Sequence, residues 1–350
     1  MPSTPTSEAE ALWGIVQAAR SGTKYWVRVL KFGDHGYPWS LHECALMARD
    51  GLRELGYKAY FTEDRPNPNV GWPTPEDRAR LGAERQIIIG GNIGTVAAYA
   101  TIPDGSIVYN FEQAGSPQFG PHYLSLLRRC VVWEYHPDNI KYLKSLYNIN
   151  AVLVPFGYVP AFTPPEPEIA PPFDYDVAFV GSLSPQRKVI INELQLVGLK
   201  VFASQDCQAE KRDDVYRRSK VVLNMHYYPR VKVLEVVRIG LAMAMHKAVV
   251  TQIDPDTRVD PYYLPGVVAA PYKELAAAVK RLVEDPVARA LLEQEGFELF
   301  TARTAEDSLR GALDHEPAPA PVQSLPQGFD RAPNASGNVY RRISRTGQVR

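Results

Sequence analysis

The fold is decided by residues 176–190, which read DVAFVGSLSPQRKVI. The apolar run ends at Gly181 and Ser182, and Ser184 and Pro185 are typical first residues of a helix. A buried strand that turns through glycine directly into a helix is the unit from which parallel sheets are built. The fold of the whole chain therefore depends on whether this strand–turn–helix pattern repeats.

The pattern repeats in both halves of the chain. We predict strands at 25–32, 58–62, 86–89, 106–111, 131–135 and 151–155, and then at 175–180, 200–203, 221–225, 248–251 and 267–269. Helices are predicted between them, among others at 40–55, 137–147, 185–197 and 231–245. Short strands that alternate with helices predict an α/β protein with two Rossmann-like, doubly wound parallel sheets facing across a cleft.

Prolines mark the predicted domain boundaries. The chain has 30 prolines in 350 residues, well above the average of about 5%. The cluster within 160–173 predicts a semi-rigid linker, because proline-rich segments favour extended backbone. We predict an N-terminal extension at 1–22, a first domain at 23–159, a second domain at 174–303, a helix at 304–315 that crosses back, and a disordered tail at 316–350.

The charge balance and the termini limit the class of protein. Lys and Arg number 39 and Asp and Glu number 39, so a general polyanion binder is not expected. Any contact with nucleic acid would be made by the tail, which has five Arg residues and two acidic residues. The chain has no membrane-length apolar run and no secretory signal, and Cys44, Cys130 and Cys207 form no CxxC pair. We predict a cytoplasmic protein that needs no cofactor; its oligomeric state stays open.

Candidate site residues are those that directly follow the strands, because ligands bind beyond the carboxyl ends of parallel strands. Gly181 and Ser182 allow a ligand to approach the backbone closely. Arg187 and Lys188 lie in the first turn of the next helix, where cations oppose the helix dipole. An anion such as a diphosphate would explain two cations at that place; solvated surface residues are the alternative.

A second group follows the strand at 221–225. His226, Tyr227 and Tyr228 come directly after it, at the predicted cleft edge. Either tyrosine could stack on a nucleobase or simply fill the rim of the cleft. We interpret all three as candidate ligand-binding residues.

The predicted helix 231–245 carries a polar stripe of Lys232, Glu235 and Arg238, which are three residues apart. A carboxylate near the start of a buried helix is well placed to accept hydrogen bonds from two vicinal hydroxyls, such as those of a ribose. A local salt-bridge stripe, contributing little to stability, is the alternative.

The first half offers several candidates for a general base. Asp34 and His35 follow the first strand, and Glu112 follows the strand at 106–111. Glu134 and His136 lie at the carboxyl end of the strand at 131–135. Histidine suits general-base work near neutral pH. The alternative for Asp34 and Glu112 is that they cap the segments that follow.

Several well-known motifs are absent. The chain has no GxGxxG fingerprint, Walker A loop, HExxH or GxSxG. Asp-x-Asp triplets occur at 174–176 and 254–256, but the first opens a strand and so lies at the wrong edge of the sheet for a metal–nucleotide site. No metal is therefore predicted.

These segments resemble a known family, the GT-B glycosyltransferases of the group-1 and CgeB-like kind. DVAFVGSLSPQRK, RDDVYRRSKVVLNMHYY and LEVVRIGLAMAMHKAVVTQ are similar to the donor domain, and YNFEQ, VVWEYHPDNIKYL and VPFGY to the acceptor half. The resemblance spans residues 25–300 and is more specific in the second half. It implies the GT-B fold and transfer of a sugar from a nucleotide-sugar donor, most commonly a UDP-sugar, to an unidentified acceptor without an obligatory metal.

The resemblance also implies residue roles. Gly181 and Ser182 match the turn that faces the donor phosphates, Arg187 and Lys188 match a cationic clamp, and Glu235 matches the glutamate that holds the ribose. Each role is assigned to the residue of this sequence that stands at the matching position of the family motif.

The resemblance favours inversion at the sugar carbon over retention, and the choice between the two stays open. Retaining members often have a Glu–x7–Glu pair, and Tyr227 stands at the earlier position here. Inverting members often keep a His or Asp after the first strand, which His35 or Asp34 matches. His35 is accordingly the predicted base.

Other functions fit the same features. The chain could be a glycosyltransferase that acts on DNA or another macromolecule, held through the basic tail. It could be a nucleotide-sugar-binding protein without catalytic activity, or an epimerase with the same donor clamp.

Overall fold

Two parallel β-sheets form the frame of the computed structural model, which describes residues 24–30, 41–62, 84–165, 172–207 and 209–314. The first sheet has the strand order β2-β1-β3-β4-β5-β6. Its strands are β1 (Lys24–Val29), β2 (Lys58–Phe61), β3 (Glu84–Ile89), β4 (Ile107–Asn110), β5 (Val131–Glu134) and β6 (Val152–Leu153). The central strands β4 and β5 are buried along their whole length, as a sheet covered on both faces requires.

The second sheet has five strands in the order β11-β10-β9-β7-β8. They are β7 (Tyr175–Val180), β8 (Val201–Ser204), β9 (Ser219–Asn224), β10 (Ala248–Gln252) and β11 (Val268–Ala270). Every pairing in both sheets is parallel. The prediction of two doubly wound parallel sheets is therefore confirmed.

Helices connect the strands in both halves. They are α1 (His42–Glu54), α2 (Val96–Ala100), α3 (Pro121–Arg129), α4 (Pro137–Tyr147), α5 (Pro185–Leu196), α6 (Glu210–Arg217), α7 (Val236–Ala244), α8 (Leu275–Glu284), α9 (Pro286–Ala302) and α10 (Ala305–Asp314). Proline is the first residue of α3, α4, α5 and α9, where its missing N–H costs no hydrogen bond. Most observed bounds lie within a few residues of the predicted ones.

One predicted helix starts five residues too early. The helix predicted at 231–245 begins at Val236, with Glu235 as its N-cap residue. The preceding segment is extended because it pairs with another part of the chain: Val233 bridges to Arg258, and Leu234 N donates to Arg258 O at 3.0 Å. Lys232 is therefore not on the helix, and the predicted three-residue stripe does not form.

The two halves share an apolar core. Phe156, which follows β6, stacks on Phe300 of α9 with ring centroids 5.8 Å apart. The Tyr263 hydroxyl donates to the Phe156 carbonyl at 3.1 Å. Both sheets accordingly belong to one compact unit.

The start of the predicted linker is packed against this core. Residues Pro160–Phe162 form one short 3-10 turn, and Phe162 is buried. The Thr163 hydroxyl donates to the Ala244 carbonyl at 2.9 Å. Residues 166–171 of the linker lie outside the described residues, as do the predicted extension at 1–22 and the tail at 316–350.

Helix α10 lies against α1 of the first half. The chain enters α10 beside Tyr158, whose amide donates to Arg303 O at 2.7 Å and whose carbonyl accepts from Ala305 N at 2.8 Å. The two helices meet at Gly51, where a Cβ atom would lie 2.7 Å from Leu309 Cδ1 and 2.8 Å from Ala305 Cβ. Glycine allows this close approach because it has no side chain.

Gly51→Ala should lower the free energy of unfolding by about 1–3 kcal/mol, because the added methyl group overpacks the α1–α10 contact. Gly311→Ala is the matched control: a Cβ there meets no atom within 4 Å. That variant should gain about 0.4–1 kcal/mol from reduced chain entropy. Chemical denaturation measures both, and an equal gain for the two variants would contradict the close approach at Gly51.

Candidate functional site

A cleft of about 620 Å³ opens where the carboxyl ends of the two sheets face each other. Residues from both halves line it. Eight predicted site residues are among them: Glu112, Gly181, Ser182, Arg187, Tyr227, Tyr228, Glu235 and Arg238. A shallower cavity of about 460 Å³ beside β8 and α6 contains none of them. The rule that ligands bind beyond strand ends thus places most of the predicted residues in one cavity.

Glu235 joins two arginines at the floor of the cleft. Arg187 Nη2 lies 2.7 Å from Glu235 Oε1, and Arg238 Nη1 donates to Glu235 Oε2. Burial alone would raise the pKa of Glu235, but Arg238 and Arg187 together hold it below its ordinary value. Two guanidinium groups that share one carboxylate leave this group of three side chains with one surplus positive charge.

Arg187 is almost fully buried, with 2% of its surface exposed. Its guanidinium donates to the carbonyls of Ser182 (2.9 Å), His226 (3.2 Å) and Met225 as well as to Glu235. Burial lowers the pKa of Arg187 to about 10, so the group stays cationic at neutral pH. Arg187 thereby ties the turn after β7 to the turn after β9.

Arg238 is fixed from the other side. It donates to the Val180 carbonyl at 3.0 Å and to the side chain of Asn224, the last residue of β9. Its guanidinium lies against Gly181, where a Cβ atom would be 2.7 Å from Arg238 Nη2. Gly181 also has a φ of +152°, so the turn needs glycine both for space and for backbone conformation.

The two tyrosines lie at the rim of the cleft, on the side of the second sheet. Tyr227 is 42% exposed and meets Tyr228 edge to face, with ring centroids 5.0 Å apart. Burial, followed by the charge of Glu112, raises the pKa of Tyr228 to about 12. The phenol of Tyr228 therefore reaches toward the first half of the chain, where Glu112 lies.

Of the predicted base candidates that the structure describes, Glu112 lines the cleft. Asn92 Nδ2 donates to Glu112 Oε2 at 3.0 Å, and the amide of Gln113 donates to Oε1 at 3.1 Å. Burial raises the pKa of Glu112 above its ordinary value. A carboxylate with a raised pKa is a better proton acceptor than an exposed one.

Three predicted site residues do not line the cleft. Lys188 is exposed, because it is one residue from buried Arg187 and so points about 100° away around the helix. Lys232 pairs with Asp254 and Asp256, both at 2.9 Å. Neither lysine belongs to a cationic clamp in the cleft.

His226 is the third of these residues. Its imidazole is wholly buried, with Nε2 3.1 Å from Thr257 Oγ1, and burial lowers its pKa. Its contribution to the site is through the main chain: the His226 carbonyl accepts from Arg187 and from Gln186 Nε2.

The structure places none of the remaining base candidates in the cleft. Asp34 and His35 lie outside the described residues. Glu134 is wholly buried and does not line the cleft. His136 caps α4 by accepting from Asp138 N at 3.2 Å, and burial lowers its pKa to about 4.

Sequence reasoning missed an ion pair that joins the two halves across the cleft. Arg212 of α6 donates to Glu43 of α1, and both line the cavity. It also missed Asn224, although a polar residue at the end of the apolar run VVLN could have been noticed. No local signal indicates the Glu43–Arg212 pair, because its members are 169 positions apart.

The Asp-x-Asp triplets are engaged in ion pairs. Asp174 pairs with Arg218 and Asp176 with Lys220, while the second triplet pairs with Lys232 as described. In the described part of the chain, no three His, Cys, Asp or Glu side chains form a group that could hold a metal ion. Within the same residues, no helix has the length and apolar character needed to cross a membrane.

Similarity in sequence is limited to partial matches. No protein-family model matches the chain. Uncharacterized protein L140 of Acanthamoeba polyphaga mimivirus is 28% identical over 141 residues, 37% of this chain. Uncharacterized protein L138 of the same virus is 31% identical over 109 residues, 31% of this chain. The chain spans only 42% of the length of L140 and 10% of that of L138.

Similarity in structure is broader. AviGT4, a glycosyltransferase involved in avilamycin A biosynthesis, has a TM-score of 0.53 at 13% identity, covering 83% of this chain and 96% of its own. WaaG, a glycosyltransferase involved in lipopolysaccharide biosynthesis, has a TM-score of 0.53 at 10% identity, covering 83% and 98%. An α-glucosyltransferase in complex with UDP and a 13-mer DNA containing an HMU base has a TM-score of 0.50 at 10% identity, covering 83% and 98%. The chain therefore has the GT-B fold, as the sequence resemblance implied.

Glu235→Gln should lower the free energy of unfolding by about 3–5 kcal/mol, because Arg187 and Arg238 lose the charge they share. Inorganic phosphate should restore part of this loss, since an anion between the arginines replaces that charge. Denaturation with and without phosphate measures both effects. The exposed Lys188→Gln is the control and should stay within about 0.5 kcal/mol of the wild type. A Glu235→Gln protein as stable as the wild type without phosphate would contradict the shared-charge interpretation.

Proposed function

We propose that the protein is a glycosyltransferase that moves a sugar from a nucleotide-sugar donor to an acceptor hydroxyl. The observation that carries this proposal is the convergence of Arg187 and Arg238 on the Gly181 turn, at the carboxyl edge of the second sheet. The GT-B fold supports it, because the solved structures with this fold include glycosyltransferases. A UDP-sugar is the proposed donor, and one similar structure holds UDP.

The donor diphosphate would bind beside the Gly181 turn. The surplus positive charge of the two arginines attracts it, and helix α5 begins directly after this turn with unpaired backbone N–H groups. As the bond between the sugar and the diphosphate breaks, negative charge builds up on the departing phosphate oxygen. Guanidinium groups already in place stabilise that charge, so the proposed reaction needs no metal ion.

Glu235 is proposed to contact the donor ribose. Each of its carboxylate oxygens accepts from one arginine, and an ionised carboxylate oxygen has a further lone pair for a hydroxyl donor. Tyr227, which is 42% exposed at the rim, offers a ring face on which a nucleobase could stack.

Glu112 is the proposed base in the acceptor half. Its carboxylate takes the proton of the acceptor hydroxyl, the hydroxyl oxygen bonds to the anomeric carbon, and the nucleoside diphosphate leaves with the bonding electrons. A direct displacement of this kind inverts the configuration of the sugar carbon. The raised pKa of Glu112 and its place in the cleft support this role. His35 remains an alternative base that lies outside the described residues.

We propose a neutral acceptor rather than a polyanion. Among the described residues, the part of the cleft wall from the first half includes the carboxylates Glu43 and Glu112 and no Lys or Arg. A DNA acceptor would place phosphates beside Glu112 with no cation from the described wall of the first half to compensate them, and Arg212, which lines the cleft from the second half, is already paired with Glu43. The tail at 316–350, with its five Arg, is the remaining route to nucleic acid.

Glu112→Gln should lower turnover of a UDP-sugar by about 10²–10⁴-fold while UDP affinity is kept, because the variant removes the proton acceptor and leaves the donor half intact. Released UDP measures turnover, and calorimetry measures affinity. Glu295→Gln, at an exposed site on α9, is the matched control. His35→Ala, assayed in parallel, distinguishes the two base candidates.

A protein that binds UDP but releases none from any of a panel of UDP-sugars and simple glycosides would be a non-catalytic binding protein. Failure to bind any nucleoside diphosphate would overturn the proposed function altogether.

Duplex DNA should bind only weakly, with an affinity that hardly depends on salt, whether or not residues 316–350 are present. A protein that contacts six phosphates would show a slope of about −5 in a plot of log affinity against log salt concentration. Fluorescence anisotropy with labelled DNA measures the slope for the full chain and for a variant that ends at residue 315. A steep slope lost on truncation would favour the DNA-modifying alternative.

A further inference from the structure

Glu134 is a carboxylate with no contact to solvent and no place in the cleft. It is the last residue of β5, which lies between β4 and the edge strand β6 of the first sheet. A buried carboxyl group is costly unless hydrogen bonds satisfy it, so its partners indicate what it does.

Three N–H groups donate to Glu134. Asn110 Nδ2 lies 2.6 Å from Oε2, Asn139 Nδ2 lies 3.0 Å from Oε1, and the amide of His136 lies 3.2 Å from Oε1. Burial nevertheless raises the pKa of Glu134 to about 8. Both carboxyl oxygens are used as acceptors, and two of the three donors are side-chain amides.

The same two amides hold the backbone around Glu112. Asn110 Nδ2 and Asn139 Nδ2 both donate to the Glu112 carbonyl, at 2.8 and 3.2 Å. Asn110 Oδ1 accepts from Glu112 N at 3.1 Å, and Asn139 Oδ1 accepts from Ala114 N at 3.1 Å. Each asparagine therefore has its oxygen toward a backbone N–H and its nitrogen toward Glu134 and a backbone carbonyl.

The second half of the chain also forms hydrogen bonds with this loop. Gln113 Oε1 accepts from the amide of Val233, two residues before Glu235. Arg258 donates to the Ala114 carbonyl at 3.0 Å and to Asn139 Oδ1 at 3.3 Å. The loop at 112–114 is thus bonded on one side to the Asn110–Glu134–Asn139 group and on the other to the segment that carries Glu235.

We propose that Glu134 is a positioning residue: by orienting the side-chain amides of Asn110 and Asn139, it fixes the Glu112 backbone and so aims the Glu112 carboxylate at the acceptor hydroxyl. The proposal rests on the proposed function, in which Glu112 is the base. Glu134 itself touches no substrate and acts through these two asparagines.

Glu134→Gln is a sharp test because it keeps the size of the side chain. A glutamine has one oxygen and one NH₂ group, whereas both oxygens of Glu134 accept from N–H donors. Its NH₂ group must therefore face the NH₂ group of Asn110 or of Asn139. The repulsion between these two NH₂ groups is relieved only if the asparagine amide flips. The flip turns the oxygen of that asparagine away from the backbone N–H from which it accepts a hydrogen bond.

The variant should lower kcat by about 10–100-fold, the range expected for misplacement of a catalytic group by less than about 1 Å. The affinity for UDP should stay as in the wild type, since the contacts of Glu235 with Arg187 and Arg238 do not change. Amide hydrogen exchange should become faster at residues 110–116. Glu293→Gln is the matched control, because Glu293 is a partly buried carboxylate of α9 that faces Lys247 and not this loop.

A double variant that combines Glu134→Gln with Glu112→Gln distinguishes a positioning role of Glu134 from a general structural defect. If Glu134 acts through Glu112, the double variant should be no slower than Glu112→Gln alone. A structural defect would instead lower the turnover of both backgrounds by the same factor and would overturn the proposal. Should Glu134→Gln fail to fold, Asn139→Ala removes one of the two side-chain amides that hold the Glu112 backbone. It should give the same effects to a smaller extent.

The outcomes also separate this proposal from the function on which it rests. UDP binding and UDP-sugar turnover by the wild type test the proposed function alone. With wild-type turnover established, an unchanged kcat in Glu134→Gln overturns the positioning role. Unchanged exchange at residues 110–116 overturns it whether or not the protein is active, and faster exchange confined to that loop supports it.

Discussion

The carboxylate that Glu235 shares between Arg187 and Arg238 determines the shape and charge of the cleft on the side of the second sheet. Because each arginine also donates to main-chain carbonyls, at Ser182 and at Val180 among others, the three charges hold the ends of β7 and β9 at a fixed separation. Burying two guanidinium groups beside one carboxylate would be costly without those additional hydrogen bonds. The arrangement leaves a positive centre whose position is set before any ligand arrives, which lowers the reorganisation needed to bind an anion.

The first half holds its part of the cleft mainly with neutral groups. There, amides hold the backbone around Glu112, and the carboxyl group of Glu134, which accepts from two of them, is kept away from the cleft. Both halves use the final residue of a buried strand for this purpose: Asn110 ends β4, Glu134 ends β5 and Asn224 ends β9. A polar side chain at that position can remain in the core and still reach the loop that follows.

Much of the site could be predicted because parallel strands bring the residues that follow them to one edge, so that Gly181, Tyr227 and Tyr228 could be predicted from their positions directly after strands. The prediction for Lys188 was wrong for a reason that helical geometry already contains, since neighbouring helical residues cannot face the same site. The start of α7 was not predictable in this way, because Val233 is extended only through its pairing with Arg258, a contact between distant segments. Interactions of that kind leave no periodic pattern in the sequence.

The contact between α10 and Gly51 has a consequence for how the chain is made. The helix that completes the first half lies about 250 residues after the segment it covers. During synthesis the first sheet is therefore exposed on that side until the second half has been translated, and it cannot finish packing in the N-terminal-first order that independent domains follow. The two halves, although each has its own sheet, form a single unit of folding, and neither is expected to behave as a separable module when expressed alone.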